Sequence, residues 1–488
     1  MTRLTEAVRP AAGTEARRWM AVVVLSVCVL LPFMDITMTS VDLPKITREL
    51  SITWVDAQWA VGGYLLVCGI GMLVVPAIGG RWGYRRTLLA GMALFGGGGV
   101  LAAWAPGPAA FLAGRVVMGL GAATVLPAWV SITSALFPAQ RRKRAFAVGA
   151  ALVSAATPFG PIAGGALLDR AWYGSLFVLD AVVALLVLPC IAGLTPEART
   201  GRGPRPDVLG IGLAAGASLA LFGTLTAARD GRELTAGLAA AVVVLAGFVL
   251  RQRAAAHPLI DLAVLRRPGF VWSQLTISLV NCAWTGLLFL LPTYLLVVRG
   301  STALAVALLL VPLAAMASVA SMVTGRVTRR LGVRGTVITG LLLFAAGLAL
   351  LSLLTPWPGY GLVVFALALS GLGAGLPQAP ALATALAALP ERSAANGPGV
   401  VNALRHLGGA LGVAVAGLTV ATAYGRGLPD AAGATAPASV ITPVGGLRET
   451  ARAAFTDGVS LSLRGGVVLL LALALLAAVL PDRGPEPG

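Results

Sequence analysis

The sequence predicts an all-α membrane protein of fourteen transmembrane helices with both chain ends on the cytoplasmic side. Three observations predict it. The first is composition: of 488 residues, 58% are hydrophobic and only 11% charged, with 61 glycines besides. Soluble proteins hold roughly 45–50% of that apolar-plus-glycine set, so a soluble fold of this length would lack polar surface. The second is a series of fourteen apolar runs, each near the roughly 20 residues that cross a hydrocarbon core of about 30 Å. The third is sorted charge. A net charge of +17 is carried almost wholly by arginine, and the arginines gather in alternate connections between the runs.

A basic tail, 1–19, with Arg3, Arg9, Arg17 and Arg18, leads into the first run at 20–40. No small-residue cleavage site follows that run, so it is expected to stay as a span rather than leave as a signal peptide. Further runs lie at 57–76, 87–104, 110–135, 145–168 and 173–193. Then come 208–228, 233–250, 270–297, 302–324, 335–355, 358–387, 400–423 and 461–481. Each is continuous rather than alternating, which predicts helices and not barrel strands. Arg81, Arg85 and Arg86 follow the second run, and Arg141, Arg142, Lys143 and Arg144 follow the fourth. Arg199, Arg202 and Arg205 follow the sixth, and Arg326, Arg329, Arg330 and Arg334 the tenth. The intervening connections are much poorer in cations, and positive charge marks the cytoplasmic side.

The boundaries predict a six-helix bundle at 20–193, a Pro/Gly/Arg-rich cytoplasmic linker at 194–207 and an inserted helix pair at 208–250. A second six-helix bundle follows at 251–481, with a polar outer loop at 424–458 and a tail at 482–488. A weak internal repeat supports paired halves. The stretches 76–85 and 325–334 align Arg81 with Arg330, Gly83 with Gly332 and Arg85 with Arg334, as expected of transporters built from repeats with sites at their interface.

An ionisable group inside the bilayer costs roughly 2.5–3.5 kcal/mol on insertion scales, so each is a functional candidate. Asp35 and Asp180 fall well within spans, with Asp42 and Asp169 at span edges. Arg115 lies inside the fourth span, and Arg405 near an end of the thirteenth. Helix rise puts Asp35, Arg115 and Asp180 about 8–10 Å from the outer edge, one layer in which Arg115 could offset a carboxylate. Asp35 is the leading proton carrier, with Asp180 and Asp42 behind it. Asp42, on the same face two turns later, is expected to be solvated at the outer interface. In the fifth span, Pro158, Gly160, Pro161, Gly164 and Gly165 weaken the helix and suit an element that bends. Trp59, Tyr64, Trp129, Trp284, Phe289, Tyr294 and Gln378 are candidates for lining a substrate cavity.

Other chemistries are excluded. Both lysines, Lys45 and Lys143, sit outside any Gly-Lys-Ser/Thr sequence, so there is no phosphate-binding loop. Two histidines, His257 and His406, are too few for a multi-histidine metal site. The four cysteines fall inside apolar runs, where no disulfide framework is expected. The basic charge is interleaved with spans, so no nucleic-acid partner is expected; the partners are the bilayer, protons and a small molecule. The chain is not expected to be an enzyme or to hold a cofactor, and energy would come from a proton gradient.

The motifs together resemble the Major Facilitator Superfamily, in particular its fourteen-helix drug:proton antiporters of the EmrB/QacA type. Met34-Asp35-Ile-Thr37-Met-Thr-Ser40-Val-Asp42-Leu-Pro44 is similar to that family's Leu-Asp-x-Thr-x-x-Asn-x-Ala-Leu-Pro, departing at Ser40 and Asp42. Gln58-Trp59 and Tyr64-Leu65-Leu66 resemble its second span. Residues 76–86 resemble its Gly-x-x-x-Asp-Arg-x-Gly-Arg-Arg gating loop, with Pro76 and Gly80 replacing Gly and Asp. Arg115-Val-Val-Met118-Gly119-Leu-Gly121 resembles Arg-x-x-Gln-Gly-x-Gly. Gly160-Pro161-x-x-Gly164-Gly165 resembles its antiporter motif, with Ala156 where a leading glycine belongs. Asn402 and Arg405-His-Leu-Gly-Gly-Ala-Leu-Gly412 resemble the entry to its thirteenth span.

The resemblance implies two six-helix bundles around a cavity, with spans seven and eight as an added pair. It implies that Asp35 couples to protons and Arg115 relays, and that Asp180, replacing an asparagine, lies on a peripheral span. The missing carboxylate at position 80 puts the usual salt bridge of the inner gate in question. The expected function is proton-driven export of small amphipathic compounds, drugs and antibiotics among them, by a monomer in a bacterial plasma membrane. The alternative is a proton-independent exporter or flippase of one lipid-like or secondary metabolite.

Overall fold

The computed structural model describes residues 14–199, 207–228, 231–255, 259–353, 359–389, 397–427 and 448–479. Among them every regular element is helical, and thirteen helices are long and apolar enough to cross a membrane. They are α1 (Glu15–Leu50), α2 (Trp54–Trp82), α3 (Tyr84–Ala103), α4 (Pro108–Leu136), α5 (Ala139–Leu167) and α6 (Ser175–Leu194). Next come α7 (Val208–Ala227), α8 (Gly231–Ala254), α9 (Pro268–Val298) and α10 (Ala303–Leu351). Last are α11 (Tyr360–Ala387), α12 (Gly397–Arg426) and α13 (Glu449–Val479). The near face is where α1 begins, and the far face is where it ends.

Thirteen rather than fourteen follows from α10. Its 49 residues extend about 74 Å, more than twice the hydrocarbon thickness. Gly332, at φ 71° and ψ 173°, breaks the helical backbone between the runs expected at 302–324 and 335–355. Gly83, its partner in the internal repeat, has φ 101°. Both halves therefore turn at the near face on a glycine in a conformation that L side chains rarely adopt.

Several boundaries differ from expectation. α1 runs to Leu50 with Pro32 and Pro44 inside it. Its 36 residues extend about 54 Å, and the helix runs on well past the end expected at residue 40. Ser51, at φ 52°, stops it, and a Thr53/Asp56 capping box starts α2. The segment 448–458, expected as loop, is the start of the last helix; 428–447, His257 and linker residues 200–206 lie outside the described residues.

Helices α1–α6 pack as one bundle and α9–α13 as the other, meeting along α2/α12 and α5/α10. The pair α7/α8 leans on the α2/α12 seam, where Phe222 meets Trp59 edge-on with ring centroids 4.8 Å apart. At the near face Asp207 ties the pair together. It accepts from the Gly210 amide at 3.1 Å and from Arg251 at 2.9 and 3.1 Å. Burial alone would push its carboxyl up, but these bonds and the Arg251 charge outweigh it and hold it below the usual carboxylate range. A depressed value means stability present at neutral pH and lost as pH falls through the folded value. Asp207→Asn is therefore expected to lower the melting temperature in detergent at neutral pH. The difference should close only at pH well below the ordinary Asp value of about 3.9.

Candidate functional site

Asp35 and Arg115 form an ion pair in the interior of the first bundle. The distance from Arg115 Nη1 to Asp35 Oδ1 is 2.6 Å, and each side chain is 1% exposed. The Arg115 Nε donates to the Ala60 carbonyl at 2.9 Å. Ala60 belongs to a π-helical turn over Trp59–Gly63, and such turns free carbonyls from the regular ladder. The guanidinium also sits 4.4 Å from the Tyr64 ring centroid and 5.6 Å from that of Phe177, where a desolvated cation–π contact adds to the charge pair. The Thr39 hydroxyl donates to Asp35 Oδ1 at 3.3 Å. Asp35 Oδ2 and Arg115 Nη2 are buried without hydrogen-bond partners.

Asp180 joins this cluster. It is 2% exposed, close to the charges of both Asp35 and Arg115, and its carboxyl lies against that of Asp35. Two carboxylates can only accept, so that contact becomes a hydrogen bond when one of them carries a proton. The peripheral position implied for Asp180 is thus corrected: span six contributes an inward-facing acid. Asp42 is corrected too. It is fully buried rather than solvated, and α1 continues nearly three turns beyond the run expected to end at residue 40.

The near-face loop recovers its carboxylate from elsewhere in the chain. Gly80 brings none, but Glu197 of the linker accepts the Arg85 amide at 3.1 Å and lies 3.7 Å from Arg86 Nε. The Tyr84 amide donates to the Ala198 carbonyl at 2.9 Å, and the Arg85 guanidinium donates to the Ala192 carbonyl in the last turn of α6, the negative end of that helix. Arg81 is exposed. A Cβ at Gly83 would stand 1.9 Å from Glu197 Oε1. In the second half Arg330 is exposed and Arg334 half-buried. Glu197→Ala leaves the Arg85 amide without its acceptor. It is expected to cost about 1–3 kcal/mol, read as a lower melting temperature, whereas Glu197→Gln retains most of the stability.

At the far face the bundles are in tight contact along α5/α10. Helix α5 is interrupted at Thr157–Pro158, and the half beyond carries the glycine motif. Gly160 and Gly164 face Met34 and Met38 of α1, and Gly165 faces Ala303, Leu304 and Ala307 of α10. Just beyond, Asp169 accepts the Ala303 and Leu304 amides at 3.1 and 3.3 Å, capping α10 from the other bundle. The near half of α5 buries only Ala145 and Gly149.

Between the bundles lies a cavity of about 190 Å³, lined by Phe33, Ser154, Asn281, Trp284, Ser318, Gln378 and Arg405 among others. Of the aromatic candidates only Trp284 reaches it, with Gln378. Tyr64 lines a narrower void beside Arg405 and His406. Trp59 packs on Phe222, Trp129 on Phe146 and Phe289 on Trp54, and Tyr294 is fully buried. These four rings have packing partners and do not line the cavity. Sequence reasoning missed Phe33, two residues before Asp35, and the α10 hydroxyl of Ser318; an apolar ring and a small hydroxyl in a span give no signal of which way they face.

A family model described as Major Facilitator Superfamily matches residues 25–413. Over 428 residues the chain is 32% identical to the tetracenomycin C resistance and export protein of Streptomyces glaucescens, covering 86% of this chain and 79% of that one. It is 29% identical over 491 residues to the multidrug efflux pump LfrA of Mycolicibacterium smegmatis, covering 96% and 97%. A crystal structure of a bacterial homologue of the human lysosomal transporter Spinster superposes with a TM-score of 0.69 at 18% identity, covering 96% of this chain and 98% of that one. That likeness concerns the fold.

Proposed function

The chain belongs to the Major Facilitator Superfamily, and from that premise we propose that it is a proton-coupled exporter of small amphipathic compounds. The observation that carries the reading is the buried Asp35–Arg115 pair. An ion pair inside an apolar bundle is held by full charge on both partners, so adding a proton to Asp35 removes that attraction and leaves Arg115 to the remaining acid, Asp180. That is a two-state element which a proton gradient can bias. One proton crossing the membrane supplies about 2.3 kcal/mol per 100 mV of potential.

In this reading α10 makes two crossings and the chain fourteen, as in the EmrB/QacA type. The arginine-rich near face is cytoplasmic, with both termini there, in a bacterial plasma membrane. The arrangement is closed toward the exterior at α5/α10, and alternating access opens that seam while closing the near face. The chain works as a monomer, without a cofactor beyond the proton gradient. The cavity supports aromatic, amphipathic solutes: Phe33 and Trp284 offer ring faces, and Asn281, Gln378, Ser318 and Arg405 offer hydrogen bonds. Export of drugs by relatives agrees with such a lining.

The test uses everted vesicles and a panel including ethidium, puromycin and tetracenomycin C. The expected result is compound-dependent proton release with concentrative uptake that collapses when the gradient is dissipated. Uptake that persists without a proton gradient would instead favour the proton-independent exporter or flippase.

A further inference from the structure

Asp42 is a buried acid to which the ion-pair site gives no task. It is 0% exposed, and neither carboxyl oxygen has a hydrogen-bond partner. Leaving a carboxyl unpartnered in a protein interior is costly, and inside a membrane protein such groups mark ion pathways. Asp42 belongs to the lining of a far-face cavity of about 420 Å³, far more than one water needs, with its carboxyl oxygens closed off just behind the wall. Lys45, Arg48 and Glu49 of the same helix and Asp169 from the end of α5 are the other charged groups on that wall. Ser301 and Thr302 complete its polar side.

From Asp42 inward, the helix itself supplies a path. Asp35 is two turns deeper, about 10 Å along the axis. Thr39 stands between them, four residues after one and three before the other, and both spacings make helix-surface neighbours about 5–6 Å apart. Thr39 is buried, and its hydroxyl already donates to Asp35 Oδ1 at 3.3 Å. A hydroxyl both accepts and donates, so it can carry a proton on without holding a charge. At the inner end, Asp35 faces Arg115 and Asp180.

We propose that Asp42 is the entry site for protons from the far face, loading from cavity water and delivering through Thr39 to Asp35. The proposal rests on the proton-coupled reading and adds its route. When the Asp42 side chain turns out toward the cavity, a hydronium ion there gives a proton to a carboxyl oxygen and leaves water. The Asp42 O–H then passes its proton to Thr39 Oγ1 as the Thr39 proton moves to Asp35. Asp42 is again a carboxylate, the Thr39 hydroxyl is restored, and Asp35 is neutral. Lys45, beside Asp42, keeps the emptied carboxylate in favourable company between loadings.

The experiment needs no transported compound. Full-length protein in nanodiscs is dropped from high to low pH, and the infrared band of buried carboxylic acid is followed in time. The wild type should show a protonation phase that Asp35→Asn removes. Asp42→Asn and Thr39→Val should retain its amplitude but slow it by about a hundredfold, the low end for a positioned proton carrier. Asp42→Glu and Thr39→Ser should restore the rate, which a merely structural role would not require. Unchanged kinetics in both Asp42→Asn and Thr39→Val would overturn the route, as would a wild type without the phase. If the phase behaves as expected while vesicles show no compound-driven proton release, the route stands and the exporter reading falls.

Discussion

Asp35→Asn should bring compound-driven proton release down to the level of empty vesicles while the protein still inserts and folds. The amide keeps the size of the side chain and an oxygen for the Thr39 hydroxyl, but it cannot gain or lose a proton. Breaking a buried ion pair by removing one partner ordinarily costs about 3–5 kcal/mol, because the remaining charge is left uncompensated. Here Asp180 lies beside the same guanidinium, so Arg115 retains a counter-charge. The single variant should therefore lose only a minor part of that stability. Asp35→Asn with Asp180→Asn removes both acids and should incur the full cost. Thermal unfolding of the two single variants and the double one gives the comparison; neighbours that share a partner are expected to deviate from additivity by about 0.5–3 kcal/mol. Purely additive losses would mean that Asp180 does not compensate Arg115. Proton release surviving in Asp35→Asn would remove Asp35 from the coupling step.

Gly165→Val should abolish transport by a different route, without touching the proton site. A Cβ at Gly165 would stand 2.5 Å from the Ala307 Cβ, 2.8 Å from the Ala303 carbonyl oxygen and 3.0 Å from the Leu304 Cα. These are backbone or backbone-bound atoms and cannot swing aside. The far ends of α5 and α10 could then no longer close to their present separation, and moving apart also draws the Ala303 and Leu304 amides from Asp169. The transporter should be held open at that face. In a background without the native cysteines, a cysteine at Ser301 should label at least several-fold faster with an impermeant maleimide. The pH-jump phase of Asp35 should persist. Normal transport by Gly165→Val would show that this contact does not have to form during the cycle.

The all-helical membrane-spanning plan, the repeated near-face turn and the Asp35–Arg115 pair were legible because each rests on a strong physical bias. Apolar runs must be helical in lipid, repeated turns repeat their glycines, and deep charges need partners. Gly83 and Gly332 were aligned from sequence and share positive φ values. The cavity lining was not legible. Which side of a helix a tryptophan faces depends on neighbours far along the chain, as with Trp59 and Phe222. Burial at the far end was not legible for a related reason: an apolar run that ends at residue 40 puts Asp42 at an exposed interface, whereas α1 continues to Leu50 and Asp42 is enclosed. The Ala60 carbonyl could not be read at all, since it depends on a backbone turn over Trp59–Gly63 rather than on a side chain.

The docking of Glu197 on the Gly83 turn has a bearing on how the two halves are joined. Only Thr195 and Pro196 separate the last residue of α6 from this carboxylate, and the hydrogen bond it accepts from the Arg85 amide ties down the end of that short stretch. The connection between the halves is therefore no idle leash. Its first residues are packed into the near-face turn at Gly83, delivered by covalent continuity instead of by that turn itself. A chain divided after Leu194 would separate Glu197 from its anchor while breaking no helix. One divided after residue 199 would keep the carboxylate attached where it acts. Two cuts five residues apart thus differ in what they sever, the first a latch and the second merely a tether.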